Sequence, residues 1–279
     1  MRPGARAFLL FLAAAACRAA SPPAAAPDYA QFGTPDQAAG REAIERARRA
    51  VPDQCYLEFN LRILPRRGEA RVVPGRLWGS RGEKGPLVRI VLDPGAPDER
   101  RWLVRGGIEP AVWRSSGRGP VLPADSFEPL WGGVELTPFD LQLTFLYWPD
   151  EQLIGVNRVI GRPANAFVFR PPPAFAARHP EVAGVRAHLD SQYDVPLQTE
   201  ILGADRVLKT LSLVDVKLIG GQAIAREVDA RDEATRDKTR FEVSAAALGL
   251  DLSPMLFDPA RLGDDVSPPA GKRLVRFGP

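Results

Sequence analysis

Cys55-Tyr56-Leu57-Glu58-Phe59-Asn60-Leu61-Arg62-Ile63 is the stretch that decides the fold. Leu57, Phe59, Leu61 and Ile63 alternate with Glu58, Asn60 and Arg62. Successive side chains of a strand point to opposite faces, so this period of two marks a strand with one dry and one wet side. The alternation returns most clearly from Val185 onward. Val185, Ala187 and Leu189 stand against Arg186, His188 and Asp190, and then Val195, Leu197, Thr199 and Ile201 stand against Gln198 and Glu200.

Working outward, shorter strands are predicted over 71–78, 87–92, 102–105 and 111–114, separated by Gly82, Gly85-Pro86, Gly106-Gly107 and the run 117–120. Others are predicted at 153–160, 164–170, 207–213, 214–219, 224–229 and 238–244. Two helix starts interrupt them. Thr34-Pro35-Asp36-Gln37 offers a capping hydroxyl and a proline at the first helical position, predicting a helix to about Ala50 with Ala38, Ile44 and Ala47 on its apolar side. Thr137-Pro138-Phe139-Asp140 opens a short, very apolar helix that Pro149 stops. The proline cluster 171–173 and its sequel to Pro180 read as irregular, as does the tail from Leu250 apart from a helical turn at 254–257. Ten to twelve strands without βαβ alternation predict a mainly β chain with a few helices, built as one highly curved antiparallel sheet whose concave face the helices cover. Residues 34–279 are expected to form this single domain.

The N-terminal region carries an address. Arg2 and Arg6 precede the apolar run 7–16, which reads as a signal peptide over 1–16, since a membrane span needs roughly twice that length. Ala14-Ala15-Ala16-Cys17 resembles a bacterial lipobox, with Ala14 where a leucine is usual. Cys17 is therefore the expected lipidation site, an ordinary signal-peptidase cut nearby being the alternative. Residues 17–33, rich in alanine and proline, read as a flexible tether. The expected location is the cell envelope, in the periplasm, with the lipidated N-terminus tethering the chain to the outer membrane. Lipid on Cys17 would leave Cys55 without a partner for a disulfide within the chain.

With 37 Lys and Arg against 34 Asp and Glu the formal net charge is +3, so nucleic acid is not favoured as a partner. The basic run Arg62, Arg66, Arg67, Arg71 and Arg76 reads as a solvated face. Two histidines, His179 in a loop and His188 on the polar side of a strand, cannot make a paired-histidine metal site and are expected at the surface. Gly79-Ser80-Arg81-Gly82 lacks the second glycine of a nucleophile elbow, and 81–85 lacks the Gly-Lys-Ser/Thr ending of a phosphate loop. Asp140 and Asp150 flank the apolar helix but read as a cap and a Pro-Asp turn, not as an acid/base pair. No catalytic constellation emerges, and neither enzyme activity nor a cofactor is expected. The apolar surplus is more informative. Trp78, Phe139, Phe145 and Trp148 are the candidate lining of a hydrophobic ligand cavity, with plain core packing as the competing reading.

Several segments resemble the outer-membrane lipoprotein-sorting protein family, whose members are similar to the periplasmic lipoprotein carrier and its outer-membrane receptor. They are 55–59, Leu77-Trp78-Gly79, Leu136-Thr137-Pro138-Phe139-Asp140-Leu141, Trp148-Pro149, Gly161-Arg162-Pro163, Arg170-Pro171-Pro172, Leu189-Asp190 and Pro196-Leu197-Gln198-Thr199-Glu200. The resemblance implies an unclosed half-barrel with a helical plug over an oily chamber, binding acyl chains or lipoprotein clients in outer-membrane lipoprotein sorting or transport. A chaperone of this kind would work without ATP, because each buried CH₂ contributes about 0.8 kcal/mol. The four candidate cavity residues are chosen for their apolarity and are not transferred from the family. A second reading is a periplasmic envelope-stress sensor that acts by contact with a membrane regulatory partner.

Overall fold

The computed structural model describes residues 34–49, 53–193, 195–220, 222–269 and 274–278. The signal peptide, Cys17 and the tether lie outside the described residues. Among the described residues no helix is long and apolar enough to cross a membrane.

In chain order the elements are α1 (Gln37–Arg49), β1 (Gln54–Leu64), β2 (Arg71–Gly82), β3 (Gly85–Leu92), β4 (Arg100–Arg105), β5 (Ala111–Ser116) and β6 (Leu122–Pro123). There follow α2 (Pro138–Gln142), a 3-10 turn (Thr144–Tyr147), β7 (Asp150–Val159), β8 (Arg162–Arg170), α3 (Pro173–Ala176), β9 (Gly184–Asp190) and β10 (Pro196–Leu202). The chain continues through β11 (Val207–Ile219), β12 (Gln222–Asp232), β13 (Lys238–Leu248), 3-10 turns at Pro254–Phe257 and Pro259–Arg261, and β14 (Val275–Arg276).

All strands join one antiparallel sheet in the order β6-β5-β4-β3-β2-β1-β13-β12-β11-β10-β9-β8-β7, with β14 on β13. Its two ends do not pair, so the sheet is an open, curved half-barrel. It consists of two meanders, β1–β6 and β7–β13, sewn together along β1 and β13 from Cys55↔Leu248 to Leu64↔Lys238, with a bulge at Glu58/Phe59. Segments 207–213 and 214–219, expected as two strands, are one strand, β11, broken only by bulges around Asp215.

The alternation read from the sequence sets the faces. Phe59, Leu61 and Ile63 turn inward with Leu77, Ile90, Trp102, Val104 and Phe241. Gly75 lies opposite Phe59, and any Cβ there would sit 2.3 Å from the Phe59 ring, so the glycine leaves room for that ring, which stacks on Phe241 at 4.5 Å. α1 places Ala43, Ile44 and Ala47 on the same concave side against Leu153 and Phe167. Its cap is not Thr34, as the sequence suggested. The Asp36 carboxylate accepts from the Ala38 and Ala39 amides, a stronger acceptor two residues closer to the first turn. The Gln37 side chain both donates to the Leu153 carbonyl and accepts from its amide, covering part of the β7 edge. At the other edge, β6 is two residues long and contains Pro123, which offers no amide to a further strand.

The tail is less irregular than its composition suggested. Leu250, Leu252, Leu256, Phe257 and Val266 lie on the outer face of the first meander, over Tyr56, Trp78 and Val91. Arg89 fastens it: its guanidinium donates to the carbonyls of Leu256, Arg261, Leu262 and Asp264 while itself almost fully buried. Burial, then the neighbouring Arg101 charge, pulls its pKa down to about 10.

Candidate functional site

The segment 124–148 crosses the concave face between the two meanders and is held by specific contacts. Thr137 begins α2 with a reciprocal capping box. Its amide and hydroxyl donate to Asp140 Oδ2 at 2.9 and 2.8 Å, and the Asp140 amide returns to the Thr137 hydroxyl at 3.4 Å. The expected single apolar helix is broken in two. Leu143 takes a left-handed conformation (φ 46, ψ 45), which ends α2 and turns the chain into the 3-10 turn.

Several polar ties fix this plug to the wall, among them Arg71 to the Gly132 carbonyl, Arg114 to Glu128 and the four that follow. Lys209 of β11 donates to Asp140 Oδ2 at 2.9 Å, with the Asp140 side chain 1 % exposed and that of Lys209 13 %. Gln142 donates to the Val104 carbonyl, the Trp102 indole to the Leu130 carbonyl, and the Glu135 amide to the Thr239 hydroxyl. Glu135 lies half-buried near Asp232, and burial first, then that charge, raises its pKa.

Beneath the plug lies an aromatic layer. Phe139 meets Phe127 at 4.7 Å, Phe175 at 5.6 Å, Trp148 at 5.8 Å and Phe145 at 6.2 Å, and Phe145 meets Phe169 of the wall at 5.2 Å. The structure therefore brings Phe139, Phe145 and Trp148 into one cluster with Phe167, Phe169, Val185, Ala187, Leu189 and Ile201. Trp78 is not with them. Period-two alternation puts Leu77 inside and turns Trp78 to the outer face, where it packs on Tyr56 at 5.2 Å beneath the tail.

The oily chamber expected beneath the plug is filled by these side chains. Phe139 and Phe145 are each 1 % exposed and Trp148 4 %. Two clefts of about 440 Å³ lie elsewhere. One is on the outer face between Trp78, Arg101, Arg118 and Asp265, and the other runs between Arg71, Arg100 and Trp131. In the first, Arg101 and Arg118 both pair with Asp265, so its charges are largely spent on each other.

Both histidines, expected at the surface, are buried. His179 sits between Phe127 and Phe175, ring centroids 4.7 and 4.6 Å away, with Asp125 at 3.4 Å and Glu181 at 3.6 Å. His188 lies on the polar side of β9, but β9 is an interior strand, and Asn157 reaches its Nε2 at 3.2 Å. Burial depresses its pKa. Beside it Arg186 pairs with Glu200 across β9 and β10. Asp140 and Asp150 do not converge: the first is held by Lys209 and Thr137, while the second is exposed and pairs with Arg170 at 3.1 Å. Cys55 is buried, which pushes its thiol up to about 11.

A filled, aromatic-lined groove under a plug that pairs with no strand, on an open antiparallel half-barrel, defines the class of this molecule. Three crystal structures are similar to it in fold. They are a DUF1329 family protein from Desulfovibrio piger (18 % identity over 81 % of this chain and 98 % of that one, TM-score 0.69), a domain classed with outer membrane lipoprotein-sorting proteins from Vibrio parahaemolyticus (16 %, 82 % and 100 %, TM-score 0.72), and a LolA superfamily protein from Nitrosomonas europaea (13 %, 78 % and 96 %, TM-score 0.62). The fold is thus the open half-barrel expected from the sequence, and it is similar to that of these proteins. Searches of family profiles and of curated protein sequences return no match.

Proposed function

We propose that the protein is an exported envelope protein that binds acyl chains, free or borne by a lipoprotein, in the groove the plug now fills. The observation that carries this reading is the aromatic and aliphatic layer between 124–148 and the wall. It is a large apolar surface covered by a segment with almost no strand pairing of its own. Such a cover can be exchanged for another apolar body of similar volume. Acyl chains suit it because their burial is non-directional, at about 0.8 kcal/mol for each CH₂. Phe139, Phe145 and Trp148 would then ride on the moving part and Phe169 and Val185 on the fixed part. The expected lipid on Cys17 would hold the protein to the outer membrane while its groove works in the periplasm. This reading asks no chemistry of the site.

Delipidated protein is expected to take up a fluorescent acyl probe or lipopeptide, with a change in Trp148 emission. A disulfide engineered between the plug and the wall should abolish uptake until reduced. Absence of uptake by the reduced, folded protein would refute the proposal. The filled interior favours a second reading, a regulatory module that works by protein contact. Recovery of a membrane partner from native envelopes, with no lipid in the isolated complex, would select it.

A further inference from the structure

Successive turns of an antiparallel meander fall alternately on two rims of the sheet. One rim carries the turns β2–β3, β4–β5, β7–β8, β9–β10 and β11–β12, and the other carries the remaining connections. The first is the richer in exposed apolar side chains. The first rim holds Ile108, Leu218, Ile160 and Tyr193, exposed to 79, 73, 65 and 55 %, each at or within two residues of a different hairpin turn. By the same measure the opposite rim holds two among the described residues, Val72 and Leu122, exposed to 58 and 47 %. Asp93-Pro94-Gly95-Ala96-Pro97-Asp98-Glu99 is typical of its connections.

The β11–β12 ribbon makes the pattern plainest. Pairing with β10 reaches no further than Ser212 and pairing with β13 no further than Glu227, so the ribbon's end runs past β10 and parts from β13, which continues to Leu248 with β14 on it. One side of that end shows Val216 and Leu218, opposite Ala225 and Ala223, to solvent. Its reverse side packs Ile219 and Ile224 on the core. Solvent-facing apolar residues on a ribbon end outside the sheet's ladder are therefore additional to what the fold needs.

The spacing says what they meet. The tips bearing Ile108 and Leu218 are about six strand intervals apart, ~29 Å along the sheet. Each tip offers one or two large apolar side chains. A protein partner is recognised through a compact, desolvated cluster, whereas a bilayer is laterally uniform and takes isolated apolar tips wherever they fall. Basic side chains accompany the tips. Arg158 is exposed with no acidic partner among the described residues, and Arg105, bonded to the Glu109 carbonyl oxygen of the main chain, forms no ion pair there. Both suit anionic head groups.

We propose that this rim is a membrane-contact surface, with Ile108, Ile160, Tyr193 and Leu218 set into the boundary between head groups and acyl chains of an anionic bilayer. The proposal does not rest on acyl binding in the groove, which the uptake measurement tests separately. Full-length protein carrying Cys17→Ser receives one new thiol at a time, Ile108→Cys, Ile160→Cys, Leu218→Cys or, as the control, Val72→Cys. Val72 is 58 % exposed near the opposite rim, and the buried Cys55 stays unlabelled in the folded protein. Each thiol carries an environment-sensitive dye and is mixed with phosphatidylethanolamine and phosphatidylglycerol vesicles bearing brominated acyl chains. Dyes at 108, 160 and 218 should shift to the blue and be quenched, as groups about 5–10 Å into the interface are, while the dye at 72 stays as in water. Unquenched rim dyes, or equal quenching at 72, would overturn the proposal.

Discussion

Replacing Lys209 with methionine tests whether the plug is latched by charge. Lys209 Nζ sits 2.9 Å from Asp140 Oδ2, and the Asp140 side chain is 1 % exposed. Its other oxygen, Oδ1, already lacks a hydrogen-bond partner. Stripping one partner from a buried pair leaves an uncompensated charge, which costs about 3–5 kcal/mol. Asp140 keeps its two bonds from Thr137 and Lys209 is not wholly buried, so Lys209→Met should fall near the lower figure, about 3 kcal/mol. The double variant Lys209→Met/Asp140→Asn removes both charges. It should be more stable than Lys209→Met alone, with the two changes coupled by at least about 1 kcal/mol. Urea unfolding followed by tryptophan fluorescence gives these energies, and limited proteolysis should find 124–148 newly cleavable in the single variant. A loss under about 1 kcal/mol for Lys209→Met, or additive effects in the double variant, would refute the latch.

Three further outcomes are expected. His188 is held neutral by burial, so its folded pKa lies below the ordinary 6.5; protonation then favours the unfolded chain, and stability should fall as pH drops below about 6.5. His188→Gln should flatten that part of the urea-midpoint profile, and an unchanged profile would contradict the assignment. Gly75→Ala forces a Cβ into the Phe59 ring and should cost about 1–3 kcal/mol in thermal or urea unfolding, and no loss would mean that the ring can swing aside. Arg89→Lys keeps a positive charge but loses the fork that reaches four carbonyls. The tail beyond Gly249 should become protease-sensitive, and a fully protected tail would show that apolar contacts alone hold it.

Much of the half-barrel was legible because period-two alternation is a local signal. Leu57 to Ile63 and Val185 to Ile201 carry their faces in their own order, and Gly85 and Gly106-Gly107 mark the turns. What was not legible depends on distant neighbours. His188 looks exposed from its own strand, and only the placement of β9 between β8 and β10 buries it. Trp78 and Phe139 are alike in apolarity, so composition put them together. Strand parity assigns Trp78 to the other face, but which face would be roofed by the plug and which by the tail was not written locally. Leu143 gave no warning of a helix break, since leucine is a good helix former and its left-handed backbone is set by packing. Arg89 did leave a trace. An isolated arginine between Val88 and Ile90 in an apolar strand is a buried charge in search of acceptors, and the tail supplies them.

The seam between β1 and β13 has a consequence for how the chain comes into being. The Ser244 hydroxyl donates to the Glu58 carbonyl across 186 residues, and every rung of that seam spans a comparable length. A polypeptide delivered from its N-terminus therefore presents the bare flank of β1 to its surroundings until nearly everything else has arrived. Closing so distant a pair is slow. During that interval the nascent molecule depends on a holding chaperone, or on dilution, to avoid joining β1 to a stranger's strand.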